Sequence, residues 1–304
     1  MVQRELGKHR EKCKILGPLM VNNILSIDVE EIFHIEYARN SKNHDFTYRM
    51  PHNIPPILDF LKEQNVTATF FIVGELAEKF ADIVRMIEKE RHEIAFHGWS
   101  HLPLWKLNSE SFRNEIVKFK KVYPSCMGYR APSFSLSNDT KWALKILNEN
   151  GFRYDSSVFP AWASLYGVSG APMEPYKPSL EDISKEDGDN HELLEFPLMV
   201  YRLLGLKIPI AGGFWLRFWN VGLIKRGIKK MNKKGLPAVI YVHNWELDPK
   251  TPKLELTIQK NFITYHNLAK TKEKLLSLLK EFTFTSFTNY LHEKNCLECF
   301  GSQT

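Results

Sequence analysis

Short apolar runs alternate with helical stripes along most of this chain, and that alternation limits the folds it can adopt. The runs NILSID (23–28), TATFFIV (67–73) and HEIAFH (92–97) are typical of short buried strands. Between the last two lies GELAEKFADIVRMIEKER (74–91), whose apolar residues recur at the spacing of one helix face. Strand, helix and strand in repetition predict parallel βα units joined by right-handed crossovers. We therefore expect an α/β protein built on parallel strands.

The same alternation continues towards the end of the chain. Helices are predicted at 51–64, 109–121, 138–150 and 271–282, and later strands at IPI (208–210), AVIYVH (238–243) and FTFTSF (282–287). Residues 160–215 are richer in proline, glycine and acidic residues, which predicts a loop-rich insertion that includes a β-hairpin. Because the βα order resumes after this insertion, we expect a single domain over 21–290, preceded by a polar arm (1–20) and followed by a tail (291–304).

Composition and charge narrow the class of protein. Of the 304 residues, 43% are hydrophobic and 25% are charged, which excludes a disordered, collagen-like or coiled-coil chain. The net charge is +6; a dedicated nucleic-acid binder would concentrate such charge along one face, and no nucleic-acid partner is expected. The densest basic run is either a solvated helix face or a patch for an anionic ligand or membrane surface, and comprises Lys225, Arg226, Lys229, Lys230, Lys233 and Lys234.

Cysteine usage and apolar run length bear on the compartment. Four cysteines are too few for a secreted disulfide scaffold, and the lone Cys296-x-x-Cys299 pair lacks the partners of a zinc ribbon. The first 20 residues carry charges throughout, unlike a signal peptide, and no apolar run reaches the ~18 residues that cross a bilayer. These features predict a cytoplasmic protein, with the inner membrane surface as an alternative location. They leave the oligomeric state open.

Polar residues capable of chemistry follow several of the predicted strands. In α/β barrels the carboxyl ends of the strands form the active site, so these side chains are predicted to meet. They are Asp28, Glu30 and Glu31 after the first strand, His97 and His101 after the third, Arg130 in GYRAPSF, Asp155 after Tyr154, and His243 after AVIYV.

The spacing of His97 and His101 lets both imidazoles share one face if the chain turns helically after its strand. Two imidazoles arranged in this way can bind one divalent ion, with a carboxylate as the third ligand. This spacing alone is a weak signal, because two unrelated histidines would also explain it. The acidic residues, the arginine and the third histidine at other strand ends favour the metal site.

Taken together, these motifs resemble the polysaccharide deacetylase family, the NodB homology domain of carbohydrate esterase family 4. The resemblance is carried by SIDVEE (26–31), HGWSH (97–101), GYRAPSF (128–134), YDSS (154–157) and HNWELDP (243–249). It runs from about Asn23 to about Phe287 and is greatest to the deacetylases of bacterial exopolysaccharide gene clusters. The resemblance implies a distorted (β/α) barrel of the NodB deacetylase type, with parallel strands and surrounding helices.

The resemblance also implies roles for individual residues. Asp28 matches the general base, and Arg130 matches the arginine that pairs with it. His243 matches the histidine that protonates the leaving amine, and Asp155 matches the aspartate that supports this histidine. The walls of the sugar groove are implied to be Trp99, Pro132, Phe134 and Trp245. The aromatic segment after Gly213 adds Trp215 and Arg217 as candidate substrate contacts, although such a stripe is more often core.

A divalent metal ion, Zn2+ with Co2+ or Ni2+ as alternatives, is implied at His97 and His101. The family commonly places its third ligand directly after the base, and that position is Val29 here. We expect Glu30 to supply the carboxylate instead and keep Glu31 as the alternative. Gly98 replaces the usual Ser or Thr of the second motif, which removes a hydroxyl contact but no ligand.

The implied reaction is metal-dependent removal of N-acetyl groups from a sugar of a polysaccharide or glycan intermediate, in exopolysaccharide or cell-surface glycan synthesis. One alternative is a cyclic imide or ureide hydrolase on a related barrel, which should have a closed pocket rather than an open groove. Another is a glycan-binding homologue without catalysis, which only the Val29 departure favours. The metal content of the purified protein would separate this last alternative from the other two.

Overall fold

The computed structural model describes residues 21–39, 47–161, 167–187 and 192–301, with side chains up to residue 294. The predicted polar arm at 1–20 lies outside the described residues. The strands are β1 (Asn23–Val29), β2 (Thr69–Ile72), β3 (Glu93–Phe96), β4 (Gly128–Tyr129), β5 (Tyr154–Asp155), β6 (Leu194–Glu195), β7 (Val200–Leu203), β8 (Leu206–Pro209), β9 (Val239–His243) and β10 (Phe284–Thr285).

Helices lie between most of these strands. They are α1 (Met50–Glu63), α2 (Gly74–Lys79), α3 (Ala81–Lys89), α4 (Ser109–Val122), α5 (Trp142–Glu149), α6 (Phe214–Phe218), α7 (Val221–Asn232), α8 (Ile258–Tyr265), α9 (Thr271–Leu279) and α10 (Phe287–Gly301). Several of these helices turn one apolar face inward. In α4, for example, Phe112, Ile116 and Phe119 are buried at helical spacing while the lysines face solvent.

The main sheet is parallel throughout and curls into an open barrel. Its order is β10-β1-β2-β3-β4-β5-β6, and β9 also pairs with β1. All seven residues of β1 are buried, as expected for a parallel strand covered on both faces. The predicted α/β barrel with parallel strands and surrounding helices is therefore confirmed. Because all these strands run in one direction, their carboxyl ends meet at one edge of the barrel.

Some predicted elements differ in extent. The helix predicted over 74–91 is two helices, because the backbone of Phe80 leaves the helical conformation and its ring packs on Tyr48. The helix predicted from 138 begins at Trp142, since the Thr140 hydroxyl accepts a hydrogen bond from the Ser137 N–H and holds a turn there. The hairpin predicted within 160–215 is the β7–β8 pair. The start of the predicted tail continues α10.

Within the described ranges, no helix combines the length and the apolar character needed to span a bilayer.

Candidate active site

The strand ends bring the predicted polar residues to one edge of the barrel. In the parallel register Asp28 of β1 lies opposite His243 of β9, and Tyr129, which precedes Arg130, lies opposite Asp155 of β5. The Phe96–Tyr129 pair likewise sets His97 beside Arg130. Charged groups this deeply buried are costly unless they are paired or bind an ion.

Glu30, His97 and His101 form the tightest group of potential metal ligands. One ligand atom from each lies within 4.8 Å of the other two, and all three residues are buried. Glu30 Oε2 lies 2.6 Å from His101 Nε2, yet this buried oxygen has no well-directed hydrogen-bond donor among the described residues. A carboxylate oxygen and imidazole nitrogens that converge without hydrogen bonds are the donor set expected around a divalent cation. We refer to these residues as the acid–imidazole triad.

The two histidines are oriented by backbone carbonyls. His97 Nδ1 lies 2.8 Å from the Arg130 carbonyl oxygen, and His101 Nδ1 lies 3.0 Å from the His34 carbonyl oxygen. If Nδ1 donates in each case, Nε2 is left as the unprotonated nitrogen that faces the triad, an orientation common for metal-binding histidines. Burial lowers the pKa of His97 to about 4, which keeps its ring neutral at neutral pH. The residues present therefore fit a divalent ion.

Gly98 shapes the turn that carries the two histidines. Its φ is +71°, and a Cβ at this position would meet Pro132 Cγ at 2.8 Å. Glycine adopts this left-handed conformation without strain, whereas Ser or Thr would both strain the backbone and meet Pro132. The departure at Gly98 thus follows from the close approach of the Pro132 loop.

Two residues that follow β9, Asn244 and Trp245, form hydrogen bonds with Glu30. Its N–H donates to Asn244 Oδ1 at 3.0 Å, and its Oε1 accepts from Trp245 Nε1 at 3.0 Å. Burial alone would raise the pKa of Glu30, but the interaction with His101 and the charge of His243 outweigh it and hold the pKa well below its usual range.

Glu31 lies apart from the triad. Its Oε1 accepts the backbone N–H groups of Arg49 and Met50, both at 2.8 Å, at the start of α1. Burial raises the pKa of Glu31 to about 7 despite these bonds. Of the two predicted candidates for the third ligand, the geometry favours Glu30.

Asp28 and Arg130 form a buried ion pair beside the triad. Arg130 Nη1 donates to Asp28 Oδ1 at 2.5 Å, and Asp28 Oδ2 lies 4.0 Å from His97 Nε2. Three further N–H groups of Arg130 donate to Ser26 Oγ and to the carbonyl oxygen and hydroxyl of Ser156, and its guanidinium lies 4.1 Å from the centre of the Phe71 ring. Arg130 is 0% exposed, so its satisfied donors fix the direction of the Asp28 carboxylate.

His243 is paired with a carboxylate that the sequence did not identify. Its Nδ1 lies 2.9 Å from Glu246 Oε2, and its Nε2 lies 3.8 Å from Glu30 Oε1. Burial alone would lower the pKa of His243, but the charge of Glu246, the hydrogen bond with it and the nearby carboxylates raise the pKa to about 9. Glu246 is in turn bound by Arg217 Nε at 2.7 Å.

Two predicted roles are therefore corrected. Asp155 was expected to support His243, but Glu246 occupies that position. Asp155 instead faces Glu195 across the β5–β6 register and accepts a hydrogen bond from Ser157 Oγ at 2.6 Å. Burial raises the pKa of both carboxyl groups, which favours a shared proton between them.

Arg217 was expected to contact substrate, but it is 1% exposed. Besides Glu246, it donates to the carbonyl oxygens of His266 at 2.6 Å and Ile263 at 2.9 Å. With its donors used inside the protein, Arg217 positions Glu246 rather than a ligand. Its place in the aromatic segment after Gly213 had suggested a contact with substrate.

The predicted groove residues differ in exposure. Trp99 and Trp215 are half-buried, whereas Pro132, Phe134 and Trp245 are buried. The Trp245 indole stacks on the His243 ring with centroids 5.0 Å apart and donates to Glu30, so it supports the triad directly. Contact of any of the five with a sugar stays a prediction.

Comparison with known proteins finds relatives over part of the sequence and for the fold. Residues 44–154 match the family model described as polysaccharide deacetylase, and residues 156–292 match a domain of unknown function, DUF3473. A peptidoglycan-N-acetylglucosamine deacetylase of Bacillus cereus is 46% identical over 96 residues, which are 29% of this chain and 34% of that protein. A chitooligosaccharide deacetylase of Rhizobium leguminosarum bv. trifolii is 39% identical over 75 residues, 25% of this chain and 35% of that protein. The chain thus spans about a third of the length of these curated relatives.

A solved structure extends the likeness to nearly the whole fold. It is the crystal structure of a Mycobacterium smegmatis protein described as a candidate polysaccharide deacetylase, with a TM-score of 0.58 and 18% identity over 93% of this chain and 94% of that one. At this identity the likeness concerns the fold alone. Fold and site together define a parallel-stranded barrel protein with a buried acid–imidazole triad at the carboxyl ends of its strands. Over residues 44–154 the chain is similar to the polysaccharide deacetylase family.

Proposed function

We propose that this protein is a metal-dependent hydrolase that removes N-acetyl groups from an amino sugar of a polysaccharide or glycan intermediate. The observation that carries the proposal is the acid–imidazole triad with a carboxylate and an imidazole on different sides of it. Asp28 approaches the triad at His97, and His243 approaches it at Glu30. This is the arrangement that acid–base hydrolysis of an amide needs, with a proton acceptor and a proton donor around one electrophilic centre.

Glu30, His97 and His101 would hold the ion, for which we propose Zn2+ with Co2+ or Ni2+ as alternatives. Such an ion lowers the pKa of water and polarises an amide carbonyl. Val29, at the family's usual third-ligand position, is 0% exposed in the core, and Glu30 is the carboxylate that reaches the histidines. The departure at Val29 therefore does not remove the acidic ligand.

The protein's own groups would then move the protons. Asp28 accepts the proton of the attacking water, and Arg130 keeps the carboxylate aimed at it. His243 Nε2 donates a proton to the amine nitrogen as the C–N bond breaks, and Glu246 holds the protonated ring in place. The products are acetate, which takes the water oxygen, and the free amino sugar.

The test is acetate release by the metal-stripped and reloaded protein. We expect release from N-acetylglucosamine oligomers or lipid-linked N-acetyl sugars after addition of Zn2+, Co2+ or Ni2+, and none from cyclic imides. His101→Ala should abolish both metal uptake and acetate release, whereas His52→Ala, at an exposed histidine of α1, should change neither. Metal uptake without hydrolysis of any acetylated sugar would reject the proposal, as would turnover of cyclic imides alone.

A further inference from the structure

The β7–β8 hairpin carries an apolar tip that the rest of the described protein does not cover. The hairpin is a two-stranded antiparallel ribbon that forms no pairing with the main sheet. Leu203, Leu204 and Leu206 are 46%, 95% and 70% exposed at its tip. Three leucines exposed to water so close together are unfavourable, because the free energy would fall if these side chains left water.

The turn residues make this tip more unusual. Leu204 and Gly205 have φ values of +49° and +83°, the left-handed pair of a type I′ turn. Asn-Gly is the favoured sequence for such a turn, and leucine adopts this conformation at a cost. A Cβ built on Gly205 would meet nothing within 4 Å, so the tip projects clear of the protein. Neither turn geometry nor internal packing explains a leucine at this position.

A cationic hollow lies directly behind the tip. Arg202 and Lys207 are cross-strand partners next to the Leu203–Leu206 pair, and with Lys230 and Lys234 of the α7 region they line a hollow of about 600 Å³. Its other charged residues are Glu174, which pairs with Lys234, and Glu186. The lining therefore holds two more cations than carboxylates. Arg202 has no carboxylate partner within the described ranges.

The basic run noted in the sequence extends this hollow along α7. Arg226 and Lys230 are four residues apart and so share one side of α7, and Lys234 follows in the turn after the helix. The base of the hairpin packs on α7 at Gly227, where a Cβ would meet Ile210 at 2.4 Å. Lys230 Nζ lies 5.5 Å from the centre of the Tyr201 ring. Lys225 and Lys229, by contrast, are both paired with Glu281 and add little free charge.

We propose that this hairpin and the basic side of α7 form a docking surface for a bilayer that contains anionic phospholipids. The leucines of the tip would enter the acyl region, and the cations behind them would bind the lipid phosphates. An apolar point backed by cations matches the layering of a membrane surface, where anionic headgroups lie above hydrocarbon. A projecting tip is suited to insertion into a fluid layer. The inference is independent of the proposed hydrolysis.

The experiment is binding of the full chain to phosphatidylcholine vesicles with and without phosphatidylglycerol, measured by co-sedimentation in the absence of substrate. We expect binding to the anionic vesicles that weakens as salt is added. Leu204→Asn combined with Leu206→Thr should lower the partition coefficient at least about 10-fold. Because Asn-Gly suits the turn, this variant should keep its melting temperature. Arg202→Gln combined with Lys230→Gln should also lower the partition coefficient about 10-fold, and only for anionic vesicles.

Matched variants elsewhere test whether the effect belongs to this surface. Ile258 is 92% exposed on α8, and Lys145 is exposed on α5, so Ile258→Asn and Lys145→Gln should leave vesicle binding unchanged. Equal binding of the tip variant, or no binding of the wild type to anionic vesicles, would overturn the proposal. A wild-type dimer that the tip variant converts to a monomer, with vesicle binding unaltered, would identify an interface between copies and also overturn it. Hydrolysis of a soluble substrate should be unaffected by the tip variant.

Discussion

Glu246 holds His243 from two directions at the end of β9. Its Oε2 lies 2.9 Å from His243 Nδ1 and also accepts the His243 backbone N–H at 2.9 Å. Glu246 has a second partner in Arg217, and the charges of Arg217 and His243 keep its pKa near 2 although burial alone would raise it. A permanently ionised carboxylate therefore fixes the ring orientation and favours the protonated imidazole.

This relationship predicts the behaviour of Glu246→Gln. Glutamine can still accept the backbone hydrogen bond, but it removes the negative charge beside His243. We expect kcat for an N-acetyl sugar to fall about 100-fold or more, with KM and bound metal nearly unchanged. The measurement is steady-state acetate release together with metal content.

A leaving-group comparison separates this role from a structural one. Para-nitrophenyl acetate releases a phenolate that needs no proton, so Glu246→Gln should hydrolyse it at close to the wild-type rate. Glu110→Gln, at an exposed acid of α4, is the matched control and should leave both rates unchanged. Equal losses on the amide and the ester would show that Glu246 does not act through proton donation by His243.

The second prediction asks whether Glu30 or Glu31 is the third metal ligand. Glu30→Ala removes the carboxylate that converges with His97 and His101, and should weaken metal binding by more than about 100-fold. Glu31→Ala removes the acceptor for two N–H groups at the start of α1 and should cost about 1–2 kcal/mol of unfolding free energy while metal binding is retained. Metal titration and thermal unfolding of both variants check this; the reverse pattern would assign the ligand to Glu31.

The sequence was sufficient for the barrel but not for every partner within it. An apolar run such as NILSID indicates a strand that is buried on both faces. This signal lies within the segment itself, and it was enough to predict β1 and its parallel neighbours. Which carboxylate meets His243 depends instead on the 3-10 turn at Asn244–Leu247, which returns Glu246 to the ring. A signal was present in the spacing, because an acid three residues after the cap residue, here His243, is typical of a reciprocal cap.

The misplacement of Asp155 has a similar origin. Its position at a strand end was predicted, but the partner that would face it was not, because β6 follows a long insertion and its register cannot be read from periodicity. The structure sets Glu195 opposite Asp155. Arg217 was misjudged for a related reason, since its neighbours are aromatic and its partner, Glu246, comes from a distant segment.

A third prediction concerns Asp28, whose Oδ2 lies outside the acid–imidazole triad but 4.0 Å from His97 Nε2. Asp28→Asn preserves the shape of the side chain and an oxygen for Arg130, but it removes the proton acceptor. We expect metal content to stay near that of the wild type and kcat to fall about 100- to 10,000-fold. Asp59→Asn, at an exposed site of α1, serves as the control. Near-normal acetate release by Asp28→Asn would mean that another group takes the proton.

The last prediction concerns stability below neutral pH and the buried residue His92, which is not a member of the triad. His92 Nδ1 accepts the Ala68 N–H at 3.1 Å, which requires an unprotonated nitrogen, and burial lowers the pKa of His92 to about 4. In the unfolded chain a histidine titrates near ~6.5, so the unfolded state binds the proton first and the fold loses stability as the pH falls from about 6.5 towards 4.

His92→Asn keeps an acceptor for Ala68 without a titrating group, and at about pH 5 it should avoid a loss of about 1–2 kcal/mol of unfolding free energy that the wild type suffers. Urea unfolding from neutral to acid pH measures this, with exposed His52→Asn as the control; parallel curves for wild type and His92→Asn would show that His92 contributes nothing to acid destabilisation.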